Sequence, residues 1–184
     1  MCGIAGLFIK DKALEPQLGA LLAQMTSTLC GRGPDSAGFA IYGAERPGTI
    51  KITVQGTEAT DFAALAADLG RAIGAEVTFE PHWTHAVLFV PREKTEIAES
   101  WIDTRADIAL VSKGARLEIF KEVGYPDDVA AKFGIPAMAG SHGIAHTRMA
   151  TESAVTTDGA HPFSTGADQC LVHNGSLSNH ASLR

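Results

Sequence analysis

Apolar residues begin almost at once. Ile4, Ala5, Leu7, Phe8 and Ile9 of "MCGIAGLFIK" predict a mostly buried first strand. "EPQLGALLAQMTSTL" then sets Leu14, Leu18, Leu21, Leu22, Met25 and Leu29 three or four residues apart, the spacing of one helix face. Pro16 suits the first turn of that helix and Gly31 its stop. "GRGPDSAG" is a Gly/Pro-rich loop, "FAIYG" a second strand, and "TIKITVQ" an alternating third strand with one wetted face.

Residues 57–105 form a self-consistent block. Phe62, Leu65, Ala66, Leu69 and Ile73 share a helical register, "AEVTFEPHW" and "HAVLFV" read as strands, and "REKTEIAESWID" as a second helix. The block is expected to be an inserted subdomain in one domain spanning 1–184. "IALVSKGARLEIFKEV" predicts a hairpin turning near Lys113-Gly114, "PDDVAAKFG" a short helix, and "HGIAHTR" and "QCLVHNG" two more strands. Strand pairs without a βαβ rhythm favour a layered α+β sandwich over a doubly wound sheet.

Composition narrows the function classes. The 184 residues suffice for one domain with a substantial core, and a net charge of −6 argues against a nucleic-acid surface. No segment approaches the ~20 apolar residues of a membrane span, and the short opening apolar run, with no basic stretch before it, is not expected to be a secretory signal. Three scattered cysteines, Cys2, Cys30 and Cys170, make neither a disulfide framework nor a zinc pattern. A cytoplasmic enzyme or subunit with reduced thiols is the expectation. Neither GxGxxG nor a P-loop is present, so nucleotide binding has no support.

Four short stretches can carry chemistry. Removal of Met1 would make Cys2 the first residue and set its α-amino group, with an unperturbed pKa of about 7.7–8.0, beside its own sulfur. Such an amine can replace the histidine that catalytic cysteines usually need; the alternative is a cysteine packed in a strand. Arg148 in "AHTRMATES" can bind a carboxylate at two points, or form a surface ion pair. Asn174-Gly175 in "VHNGSLSN" is an ordinary turn, and also a pair able to aim a side-chain amide and a backbone N–H at one oxyanion. In "GRGPDSAG", Arg32 and Asp35 can pair within a loop that props the first strand. His142, His146, His161 and His173 crowd the second half without a metal-site spacing, so solvated or core-satisfied roles are expected.

In order, terminal Cys-Gly, RGPDSAG, HTR followed by AT, and HNG with a downstream Asn resemble the class II glutamine amidotransferases, which are N-terminal-nucleophile hydrolases. The resemblance covers roughly residues 1–56 and 106–184. It implies a four-layer αββα sandwich, Cys2 as nucleophile with its amine as base, and Asn174 and Gly175 as the oxyanion hole. It further implies Arg148 on the glutamine α-carboxylate, Thr151 at the pocket rim, and no metal or cofactor in this chain. The opening is most similar to stand-alone amidotransferases related to glutamate synthase, including the amidotransferase subunit of N-methylglutamate synthase. That likeness implies glutamate-synthase-like partner subunits carrying FMN and iron–sulfur clusters.

One departure stands out. The family holds the glutamine α-amino group with an aspartate beyond the HNG turn, and no aspartate follows Asp168 here. The C-terminal part of the domain is therefore expected to be missing. The competing expectation is a catalytically weak assembly or regulatory subunit.

Overall fold

The computed structural model describes residues 2–150 and 154–175. Its elements run β1 (Gly3–Phe8), α1 (Leu18–Ser27), β2 (Ser36–Tyr42), β3 (Thr49–Gln55), α2 (Phe62–Ile73), β4 (Thr78–His82), β5 (His85–Pro91) and α3 (Thr95–Asp103). They continue with β6 (Ala109–Gly114), β7 (Leu117–Val123), α4 (Pro126–Lys132), β8 (His142–Arg148), β9 (Phe163–Gly166) and β10 (Gln169–Leu171).

The first sheet has the order β1-β8-β2-β7 and is antiparallel throughout. Strand β1 alternates instead of being buried throughout. Ala5 points into the core, while Ile4 and Phe8 are 43% and 67% exposed. Helix α1 covers only one face of β1, and nothing among the described residues buries the other two side chains. Leu18 and Leu22 of α1 are fully buried, whereas Leu14 and Met25 are exposed, contrary to the single face expected. For Leu14 the cause is local: Lys12–Gln17, including Pro16, is a 3-10 turn. Its tighter winding rotates Leu14 out of the α-helical register. The helix stops at Ser27, before Gly31.

The second sheet has the order β4-β5-β3-β6. Residues 57–105 supply β4, β5, α2 and α3, and β3 and β6 from outside that block complete the sheet. Helix α2 buries Phe62, Leu65, Ala66, Leu69 and Ile73, the five positions its spacing predicts. It starts on Asp61, whose side chain accepts from the amides of Ala63 and Ala64, and ends on Gly74 at φ 66°. These residues pack with Ile50, Ile52, Val54, Ala86, Leu88 and Val90 of the sheet.

Strand β3 has no wetted face. Lys51 and Thr53, on the side away from the helices, are 5% and 0% exposed. Lys51 is neutralised by an ion pair with Glu118 of β7, across the gap between the sheets. Strands β6 and β7 are likewise not a hairpin. One pairs with β3 and the other with β2, so the chain changes sheets at residues 115–116. The structure is thus mixed α/β with antiparallel sheets, one packed on α1 and α4 and the other on α2 and α3. It is compatible with an α+β sandwich.

"QCLVHNG" is a strand only as far as Leu171, and it pairs with β9, which the hydrophobic pattern does not announce. Asp168 at the tip of this hairpin, with φ 56°, accepts from the amides of Ala115, Arg116 and Leu117 at 2.8–3.0 Å. Burial would raise its pKa, but these three donors hold it below the ordinary carboxylate value. The hairpin is pinned to the corner where the chain changes sheets.

Candidate functional site

Antiparallel pairing of Gly3 with Thr147 brings the start of β1 against the end of β8, so Cys2 and Arg148 become neighbours across the sheet end. Ser36 of β2 pairs with Arg148 on its other side. The Cys2 sulfur lies 3.9 Å from the Met149 carbonyl oxygen, in hydrogen-bond geometry. Gly3 fixes the strand here by donating to Thr147 Oγ1 at 3.1 Å.

Two side chains converge on the Cys2 carbonyl. Asn174 Nδ2 donates to it at 2.9 Å and Arg32 Nε at 3.4 Å. No Arg32–Asp35 ion pair forms among the described residues. Arg32 props the first strand directly, while Asp35 Oδ2 accepts from the Ala150 amide at 2.8 Å. The Asp35 amide in turn donates to the Arg148 carbonyl at 3.1 Å. Asp35 thus holds the chain on both sides of Met149. Gly33 is required by close approach: an added Cβ would lie 2.5 Å from the Thr147 carbonyl carbon.

Arg148 is partly buried, and its Nη1 donates to the Ala154 carbonyl at 3.4 Å. Gly159 lies so close that an added Cβ would sit 3.0 Å from Nη1. Cys2, Arg148 and Asn174 are therefore gathered at one end of the first sheet, with Gly175 next along the chain. Thr151 lies outside the described residues.

Behind this cluster lie two histidines that the sequence marked only as solvated or core-satisfied. His146 of β8 is fully buried; its Nε2 is 3.0 Å from the His173 carbonyl. His161 Nδ1 accepts from the His173 amide at 3.1 Å. The two imidazoles stack, with centroids 4.4 Å apart. Burial lowers the pKa of both, that of His161 to about 4 with His146, Arg148 and Lys121 adding to the effect. Lys121 of β7, also buried, donates to the carbonyls of Asp158 and Ala160 at 3.2 and 3.0 Å. The crowding of histidines in the second half was the available signal.

All three cysteines are free. Among the described residues no group of His, Cys, Asp and Glu could hold a metal ion. No helix among them is long and apolar enough to cross a membrane.

No protein-family model matches the chain. Individual relatives do. The chain is 54% identical over 186 residues to a glutamine amidotransferase-like protein, GlxB, of Rhizobium meliloti. It is 32% identical over 197 residues to a putative glutamine amidotransferase of Methanothermobacter thermautotrophicus. Both matches take in the whole chain, which spans 62% and 64% of the length of these relatives. A glutamine–fructose-6-phosphate aminotransferase of Pseudomonas putida is 37% identical over 79 residues, 43% of this chain and 13% of that protein. Together, these are similarities to proteins named as glutamine amidotransferases, amidotransferase-like proteins or glutamine-dependent aminotransferases.

Proposed function

We propose that the chain carries the glutaminase site of a class II glutamine amidotransferase with the N-terminal-nucleophile hydrolase fold. The observation that carries this reading is the junction of β1 and β8, where Cys2, Arg148 and the Asn174 amide meet at one sheet end. In this reading Met1 is removed, and the freed α-amine of Cys2 takes the thiol proton. The sulfur bonds to the side-chain amide carbon of glutamine, whose oxygen becomes an oxyanion. Asn174 has two N–H donors; one orients it on the Cys2 carbonyl and the second serves the oxyanion together with the Gly175 amide.

Collapse of the tetrahedral species breaks the C–N bond, and the departing nitrogen takes the proton and leaves as ammonia. Water then cleaves the γ-glutamyl thioester, releasing glutamate and restoring the thiol. Arg148 binds the α-carboxylate, and Thr151 belongs to the pocket rim. Arg32 and Asp35 are supporting-loop residues. The ammonia passes to a glutamate-synthase-like partner, which carries the flavin and iron–sulfur chemistry that this chain does not supply. The similarity to GlxB and to a glutamine–fructose-6-phosphate aminotransferase supports the reading.

The test is glutamate release from L-glutamine by the natural full-length protein, with and without candidate partner subunits. Cys2→Ala should abolish release, and so should an uncleaved extension before Cys2 that leaves the thiol in place. Unchanged turnover in the first variant would remove Cys2 as nucleophile; unchanged turnover in the second would remove the amine as base.

A further inference from the structure

We infer that His146 and His161 are positioning residues, holding the backbone N–H and C=O of His173 and thereby setting the Asn174–Gly175 turn. The inference rests on the glutamine amidotransferase reading for its catalytic consequence, though not for its geometry.

Strand β10 ends at Leu171, so the backbone of residue 173 has left the ladder. Backbone groups that have left the ladder still need hydrogen-bond partners, and here two imidazoles supply them. His146 donates from Nε2 to the His173 carbonyl, and His161 accepts the His173 amide proton at Nδ1. These contacts fix both tautomers: His146 is protonated at Nε2, and His161 is unprotonated at Nδ1. Burial disfavours the charged ring in each case, which keeps the acceptor on His161 available at neutral pH.

The clamp is anchored on rigid elements. His146 lies on β8, two positions before Arg148, and is fully buried. The His161 carbonyl would sit 2.1 Å from a Cβ at Gly38 of β2, so only glycine there lets this segment lie on the sheet. Lys121 ties down the preceding Ala160 carbonyl, and the edge of Phe163 packs on the His161 ring with centroids 4.5 Å apart. The segment that carries His161 also carries Gly159, against the Arg148 guanidinium. One scaffold thus sets the spacing between the proposed carboxylate binder and the proposed oxyanion donor.

Two substitutions separate the acceptor from the ring. His161→Asn keeps an acceptor, Oδ1, at the Nδ1 position and loses the stack; His161→Phe keeps the stack and loses the acceptor. In glutamine hydrolysis by the full-length protein, His161→Phe should lower kcat by up to about 10²-fold, the scale of an ångström-sized misplacement, while His161→Asn stays within about tenfold of the parent. KM should change little in both. Equal kcat losses in the two variants, an unimpaired His161→Phe, or an effect confined to KM would overturn the clamp.

Hydrogen exchange of the His173 amide in the unmodified protein gives a readout independent of both activity and variant folding. Strong protection is expected. Exchange at the rate of an open amide would overturn the clamp even if glutamine is hydrolysed. Protection without any glutamine hydrolysis would leave the clamp standing and remove the amidotransferase reading.

Discussion

Asn174 hydrogen-bonds through Nδ2 to the carbonyl oxygen of Cys2 at 2.9 Å, joining residues 172 positions apart in the chain. The bond fixes the amide's orientation relative to the residue that bears the sulfur. An oxyanion donor works by being held in place before charge develops. Asn174→Ala should therefore lower kcat for glutamine hydrolysis by ~10²–10³-fold, measured under saturating glutamine. A change confined to KM would make Asn174 a binding residue.

Arg148 is held by the Ala154 carbonyl and crowded by Gly159. A lysine cannot reproduce the planar two-point contact with a carboxylate. Losing a charged hydrogen bond of ~1.5–3 kcal/mol corresponds to roughly one to two decades in affinity. Arg148→Lys is expected to raise KM for glutamine on that scale with a smaller effect on kcat. Initial rates over a range of glutamine concentrations separate the two.

Gly33 meets the backbone of β8 and not a side chain tip. An added methyl would lie 2.5 Å from the Thr147 carbonyl carbon and 2.7 Å from that of Arg148. Backbone must move to admit it, at a cost of ~1–3 kcal/mol typical of overpacking. Gly33→Ala should lower the thermal midpoint and raise KM for glutamine as well, because the strand that shifts carries Arg148. A destabilised variant with parental KM would show that Arg148 tolerates the shift.

Acid should weaken the fold before carboxylates titrate fully. Burial, with Lys121 and His82 adding to it, lowers His85 to about 3, and burial is the main cause of the fall of His161 to about 4. Both are neutral when folded, whereas an unfolded histidine takes a proton near 6.5. The unfolded state therefore binds more protons below about 6.5, so stability falls as pH drops through that value and continues to fall to about 4 for His161 and about 3 for His85. Urea unfolding at pH 7, 5.5 and 4.5 measures the slope. His85→Phe should flatten it.

Much of this was legible in the sequence where one element packs against one neighbour. Helix α2 buries each residue its spacing singled out because a single sheet face receives it. Lys51 and Thr53 looked solvent-facing because alternation reports side-chain polarity, and only the ion pair with Glu118 explains a buried lysine. The hairpin expected near Gly114 failed for a similar reason. Two adjacent strands joined by a tight turn carry no local mark of belonging to different sheets.

At the site, motif order brought out Cys2, Arg148 and Asn174, and the described residues do meet. Arg32 and Asp35 were expected to pair with each other, whereas their partners lie across the fold on Cys2 and Ala150. His146 and His161 were expected only to be solvated or core-satisfied, because their contacts are to backbone atoms, which leave no trace in side-chain spacing.

Asp168 shows why a second sheet distant in sequence concerns the proposed reaction centre. Its carboxylate grips three successive amides at the β6–β7 corner, and only a short run of chain separates it from Asn174. The corner is a footing for the hairpin, from whose end at Leu171 the chain leads directly to that turn. Cutting the Asp168 mooring would slacken the turn without touching any atom that meets substrate.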